Sequence, residues 1–350
     1  MTRLRQIAMA GLAAVAIGGV ASSASAMETG TFQNRLNGAT IGLPLGAAPP
    51  PGIYTGLETA YLGTQGNNNT GHSTGNQCVG VVGGGCAALP AIAQAVPLLW
   101  VPGWNWWGAT YSASVVQAFY TFETCGAAGS NGNCNGAFPV TGGGFVYTNT
   151  FFQPIALSWK VGGGWFISAA FAFTPPDGTH QQGTPNPSYW TFEPSLAFSY
   201  LGNNWVASAN FFYDINTRST GVCCVGGPIA AAGRQNITSG NALYGDLTAV
   251  YKIGKWSVGP VGYFEVQTTN DTGSGCNPAP GVSFCGRYRT AAAGALVGYD
   301  FGPVDLQLWV TDSFVGVDSP VAAGNLNVWS RIGFKIWGFE QPVAPLVSKN

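Results

Sequence analysis

Charge is the scarcest commodity in this chain. Of 350 residues, 13 are Lys or Arg and 14 are Asp or Glu, so charged residues make up 8% of the sequence, against roughly 25% in ordinary soluble domains. Such a chain has little with which to build a soluble surface. The net charge is -1, and no basic stretch offers nucleic acid a footing. Histidine is nearly missing: only His72 and His180 occur. There is no Gly-rich phosphate loop with its Lys and no H-E-x-x-H pair. The nearest candidate for chemistry is His180 beside Asp177 and Thr179, in the stretch PPDGTH, which reads as a solvated turn. The sequence thus predicts no enzyme and no cofactor. It predicts no metal either, because His72 near Cys78 matches no ligand spacing.

Long apolar runs are also lacking, with one short exception. Arg3 and Arg5 precede a nearly apolar stretch from Ile7 to Ala21, and Ala24-Ser25-Ala26 is a small-residue cleavage site. Residues 1–26 read as a signal peptide cleaved after Ala26. Beyond it no run approaches the ~20 residues of a membrane helix.

What the chain does have is aromatic residues at 13%, with 12 Trp, together with 52 Gly. It also has alternation. In Tyr189–Leu201, one face carries Trp190, Phe192, Pro194, Leu196, Phe198 and Tyr200; the other carries Tyr189, Thr191, Glu193, Ser195, Ala197 and Ser199. That is a period of two, the signature of a strand with one apolar face. The next segment repeats it, with Trp205, Ala207, Ala209, Phe211 and Tyr213 opposed to Asn204, Ser208, Asn210 and Asp214. The pattern predicts strands near 53–63, 94–102, 106–122, 147–160, 164–174, 188–201, 204–215, 242–254, 256–269, 287–301, 303–317 and 325–338. Pro194 and Pro260 fall inside strands and are expected to mark local bulges.

Between these strands, short turns (102–105, 161–163, 202–203, around 255, at 302) alternate with long loops (64–93, 123–146, 175–187, 215–241, 270–286, 318–324). Alternating connection lengths and a half-apolar pattern point to one all-β fold: a single antiparallel transmembrane β-barrel of about 12 strands, within a range of 10–14, with short periplasmic turns and long external loops. The expected partners are outer-membrane lipid and the solutes that cross the wall. A Gly-rich secreted all-β protein is the alternative. The barrel occupies 53–338. Residues 27–52, which end GAAPPPG, form either a lumen plug or a periplasmic arm, and 339–350 a periplasmic tail.

Aromatics flank the short turns: Trp104, Trp106, Trp159, Trp165, Tyr200, Trp205, Tyr251, Trp256, Tyr299 and Trp337. They suit a girdle at the headgroup layer. With apolar residues toward lipid, the lumen receives Glu58, Glu193, Asn210, Asp246, Lys252, Glu265, Gln267, Asp305, Arg331 and Lys335. Both signs occur, which argues against a strongly selective charge ring. The eight cysteines all lie in long loops, in pairs: Cys78 and Cys86, Cys125 and Cys134, Cys223 and Cys224, Cys276 and Cys285. An exported chain makes these disulfide candidates. The adjacent pair Cys223-Cys224 either bonds elsewhere or stays reduced.

Several stretches resemble the phenol-degradation MetA-type outer-membrane proteins, also called SphA-like. They are GAAPPPGIY (Gly46–Tyr54), YWTFEPSLAFSYL (Tyr189–Leu201), ASANFFYDINT (Ala207–Thr217), SGNALYGDLTAVYKIGKWSVGPVGYF (Ser239–Phe264) and GYDFG (Gly298–Gly302). The resemblance runs from about residue 44 to 338, and the 189–264 stretch is its specific part. It implies an outer-membrane channel for passive uptake of small hydrophobic or aromatic compounds. The alternatives are a plugged structural or binding barrel presenting disulfide-bridged external loops, and, below it, a barrel enzyme built on His180. The resemblance implies no catalytic residue. The tail after the last strand departs from barrels that end on an aromatic residue, so Phe334 or Trp337 is the candidate for an internal insertion signal.

Overall fold

The computed structural model describes residues 33–62, 85–88, 91–122, 125–128, 144–179, 186–219, 237–274, 287–317 and 326–338. Every extended element among them is a strand: β1 (Gly52–Leu62), β2 (Gly85–Ala88), β3 (Ala91–Val101), β4 (Asn105–Trp106), β5 (Ala109–Phe122), β6 (Cys125–Ala128), β7 (Gly144–Tyr147), β8 (Phe151–Gly162), β9 (Trp165–Thr174), β10 (Thr191–Gly202), β11 (Trp205–Asn216), β12 (Ala242–Ile253), β13 (Trp256–Gln267), β14 (Arg289–Asp300), β15 (Val304–Val317) and β16 (Leu326–Gly338).

Twelve of these make a closed antiparallel ring. β1, β3, β5 and β8 to β16 pair in sequence order, and β16 returns to β1 with Glu58 opposite Arg331. Closure leaves no strand edge unpaired, the condition for a sheet in hydrocarbon. The twelve are the twelve expected from alternation. They run from 10 residues in β9 to 14 in β5 and β15, enough for a tilted strand to cross a bilayer at ~9–11 residues. Both ends of the ring, Gly52 and Gly338, lie opposite one another at the short-turn end.

Local chemistry explains the joints. Gly202–Trp205 closes β10 onto β11 through Asn203 and Asn204, both at positive φ (51° and 63°). Two successive left-handed residues match the twist of a two-residue hairpin, and Asn tolerates that conformation.

Two expectations need correction. No register shift occurs at Pro194 or Pro260: Phe192↔Ile215 and Ser195↔Phe212 lie in one register, as do Thr248↔Val261 and Tyr251↔Val258. Each proline leaves rungs unpaired on one side only. Its other side stays in the ladder, with Pro194 opposite Phe171 and Pro260 opposite Ala295. A missing N–H costs a rung, not a residue. The stretch expected as one strand over 147–160 is divided. β7 pairs with the far half of β5, where Phe119 faces Tyr147, and β8 resumes where Val116 faces Phe151. Residues 148–150 therefore oppose only 117 and 118. Thr148 and Asn149 turn inward and are buried.

Alternation decides the faces. Along β10, Leu196 and Phe198 are 51% and 40% exposed while Ala197 and Ser199 between and beyond them are buried. The ring thus carries an apolar outer belt and a largely polar inner face. β4 and β7 are additions to β5, and β2 pairs with β6 in a separate ladder. That ladder sets the backbone of Cys86 opposite Ala127 and Cys125 opposite Ala88. The side chains of all eight cysteines, like His72 and His180, lie outside the described residues.

Candidate functional site in the barrel interior

A segment that precedes the first strand crosses the inside of the ring. Residues 34–48 bond to inward side chains on β8 (Ser158), β9 (Ser168), β10 (Thr191, Glu193, Ser199), β11 (Asn210), β12 (Asp246, Thr248), β13 (Glu265), β15 (Gln307) and β16 (Arg331). One short chain can touch so much of a closed wall only from within. Its path follows β10: Asn34 meets Thr191, Arg35 meets Glu193, and Gly46 meets Ser199. The eight residue steps from 191 to 199 span roughly 26 Å of strand, so the segment runs from the long-loop end to the short-turn end, where it becomes β1.

The segment is neither helix nor strand. Successive four-residue turns fold it, with Ala39 N donating to Leu36 O, Ile41 N to Gly38 O and Leu43 N to Thr40 O. Gly38 and Gly42 sit at φ 82° in these turns. A turn chain leaves its backbone groups pointing sideways, and the wall receives them. Asp246 accepts from Gly38 N (3.0 Å), Thr40 N (3.0 Å) and Thr40 Oγ1 (2.6 Å). Thr248 accepts from Gly42 N (2.8 Å), and Asn210 donates to Leu43 O (3.1 Å). Ser158 donates to Gly46 O (2.6 Å) and Ser168 to Leu45 O (2.8 Å).

Two arginines, each in an ion pair, fix the segment at different heights. Arg35 makes two bonds of 2.7 Å to Glu193, and its guanidinium lies 3.4 Å over the Phe212 ring. Asp246 and Asp214 lie within electrostatic reach of it. Arg331 donates to Glu58 (2.5 Å), Gln307 (2.9 Å), and the carbonyls of Ile41 (2.6 Å) and Ala39 (2.5 Å). A planar fork of five donors suits such a spread of acceptors. Glu265 takes hydrogen bonds from Asn37 and Tyr288. Burial, then the charge of Glu265, push the Tyr288 hydroxyl well above the ordinary tyrosine value, so it stays a donor.

The ten residues expected on the inner face divide into three groups. Glu193, Asn210, Asp246, Glu265 and Arg331 bond to the inner segment and are buried, and Glu58, half-buried, joins them through Arg331. Gln267, also buried, instead donates to Asp271 (2.5 Å) beyond the long-loop end of β13. Lys252, Asp305 and Lys335 are exposed at the short-turn mouth, where Asp305 accepts from Gln307 (3.1 Å) and Lys335 lies 5.6 Å from the Tyr54 ring centre. Sequence reasoning missed Arg35 and Asn34, because a segment without periodicity gives no sign of what it faces. It also missed Trp309 and Trp329, buried on the inner face. Their phase with Gln307, Thr311, Asn327 and Arg331 was the available signal.

Comparisons with known proteins found one family model and several solved structures similar to this chain. The model of the MetA-pathway of phenol degradation family matches residues 65–331. Among solved structures, an outer membrane channel from Pseudomonas putida F1 superposes with TM-score 0.62 at 11% identity, over 82% of this chain and 96% of that one. The β-domain of the Bordetella autotransporter BrkA gives TM-score 0.41 at 14% identity, covering 81% and 100%. The toluene transporter TbuX of Ralstonia pickettii gives 0.38 at 12% identity, covering 85% and 92%. No curated protein matches the chain.

Proposed function

The chain belongs to the MetA-pathway of phenol degradation family, and from that premise we propose that it is an outer-membrane channel for the passive uptake of small hydrophobic or aromatic compounds. The observation that carries this reading is how the lumen is filled. A barrel built only as a scaffold can fill itself with large inward side chains. Here many inward positions are small: Ser112, Ser158, Ser168, Ala172, Ala197, Ser199, Ser208 and Thr248 are all buried on that face. The width they leave is taken by a separate segment held through side chains and not by strand pairing. A wall made wide and then narrowed by a strap is the design of a restricted passage. The ten expected inner-face residues line that passage: five bond to the strap, Glu58 is tied to it through Arg331, Gln267 stands at the long-loop end and three stand at its short-turn mouth.

The apolar outer belt and the closed ring support a place in the outer membrane, reached by export with cleavage after Ala26. The Pseudomonas putida protein of the same fold is itself an outer membrane channel. No catalytic role is assigned to any residue.

The test is single-channel conductance of the purified mature chain in planar bilayers, followed by liposome uptake of a panel of aromatic compounds. Small stable steps and selective uptake are expected. A folded, heat-modifiable barrel that shows neither overturns the channel reading. It would leave the inner segment as a permanent plug and the external loops as the functional surface.

A further inference from the structure

The outer face of the ring is apolar, and two polar side chains that lie on it each find a carbonyl of the wall. Thr55 donates to Pro97 O (2.7 Å) and Gln117 to Thr148 O (3.1 Å). Two others do not. Gln94 lies on β3 between the exposed Ile92 and Val96, on the face opposite to buried Ala93. Asp312 lies on β15 between the exposed Val310 and Phe314, with Thr311 and Ser313 buried on the other face. Gln94 is half-buried and Asp312 exposed. Among the described residues neither side chain makes a hydrogen bond or an ion pair.

Both stand at one depth. Gln94 is six positions from Trp100, which packs edge-on against Trp104 of the short-turn aromatics at 5.2 Å. Asp312 is six positions from Leu306, the rung partner of Tyr299 in the same belt. Six steps are about 20 Å of strand, or about 15 Å of height at the usual tilt, inside an apolar band of about 25 Å. Lipid tails at that height offer neither donor nor acceptor, and a carboxylate there is costly. The two groups are complementary, since an amide N–H donates and a carboxylate accepts. Within one copy they cannot meet: β16 and β1 stand between their strands, and three strand spacings are about 14 Å. Between copies they can. Equal depth is what a rotation axis along the membrane normal requires of two patches that touch.

We propose that the wall from β15 to β3 is an interface between copies of this chain, with Gln94 of one copy donating to Asp312 of the next. Two unlike residues make the contact heterologous, and such contacts close into rings. β15 and β3 are three strand steps apart in a ring of twelve, a quarter turn, which closes about three to four copies with β16 and β1 facing the axis. Ala293, the rung partner of Asp312 on β14, is short enough to leave the carboxylate open to a neighbour. The proposal rests on the outer-membrane reading, because the outer face must meet lipid, but it does not require the lumen to conduct.

The full mature protein, carrying one fluorophore at its C-terminus, is reconstituted into lipid vesicles over a range of protein-to-lipid ratios, and bleaching steps are counted per particle. About three to four steps are expected for the wild type. Gln94→Leu should weaken association about tenfold, the scale of one polar contact between membrane segments. Gln94→Asp sets two carboxylates face to face and should give single steps. Combining it with Asp312→Gln exchanges donor and acceptor and should restore the ring. Heat-shifted mobility shows that each variant is folded. Should a variant fail to fold, Val96→benzoylphenylalanine, two positions along the same face from Gln94, decides: on illumination it should capture a β15 peptide of a neighbouring copy. Single steps for the wild type at every ratio, pairs that never exceed two, a count unmoved by Gln94→Asp, or capture of no β15 peptide overturn the interface. Conductance from particles that bleach in one step defeats this proposal and spares the channel. Assembled particles without conductance do the reverse.

Discussion

Arg35 carries a full charge into a closed barrel, where Glu193 gathers it through two bonds of 2.7 Å. Neither partner stands in bulk water: their side chains are 10% and 5% exposed. Removing one member of such a pair is worse than removing both, because the survivor is left as an uncompensated buried charge, at a cost of about 3–5 kcal/mol. That cost falls on the docking of the inner segment and not on the wall, since the β9–β10 and β10–β11 ladders do not depend on Arg35. Arg35→Met is therefore expected to keep the heat-shifted mobility of a folded barrel and to give larger, noisier conductance steps. Combining it with Glu193→Leu should return the steps toward wild type. Steps unchanged in the single variant would mean that the ion pair does not hold the segment in place.

At the scale of elements, the inner segment depends on turns as much as on charges. Gly42 sits at φ 82°, and a Cβ there would meet Gln307 Oε1 at 2.3 Å and Leu296 Cδ1 at 2.9 Å. Alanine adds about 1–2 kcal/mol for the left-handed backbone alone, and it pushes Gln307 away from Arg331, to which it is bonded at 2.9 Å. Gly42→Ala should speed hydrogen exchange across residues 38–46 while the strand amides keep their protection, as read by mass spectrometry. Unchanged exchange would count against a strap tuned to close contact. The contrast with the strands explains what the sequence could disclose. A strand's inward residues announce themselves by phase, so Glu193, Asn210, Asp246, Glu265 and Arg331 were legible one by one. Their partners were not, because Arg35 lies 158 positions from Glu193, and Ile41 lies 290 from Arg331. Contacts at that separation come from closing the ring, and no local pattern records them. The prolines misled for a related reason: a residue that lacks an N–H signals trouble locally, while the ladder absorbs it by leaving rungs unpaired on one side.

For the whole molecule the decisive boundary is the one between two faces of a wall one residue thick. Leu247 is 41% exposed at the middle of β12, while Asp246 beside it is 3% exposed and bonded to the inner segment. The two differ in face and hardly in depth. A charge is already accommodated at 246, so any penalty for a charge at 247 measures the surroundings of the outer face. If that face meets hydrocarbon, Leu247→Arg costs about 2–4 kcal/mol, and the same substitution at an interface about 0–1. Trp256, 54% exposed at the first position of β13 and packed edge-on against Tyr299 at 4.7 Å, supplies the interface case among the aromatics that ring the short-turn end. Urea titration of folding into lipid vesicles should therefore shift strongly for Leu247→Arg and weakly for Trp256→Arg. Equal shifts would mean that the apolar belt is not graded by depth. No shift at Leu247 would mean that lipid does not cover it, and the outer face would then need a protein partner to account for its exposed Leu, Phe and Trp.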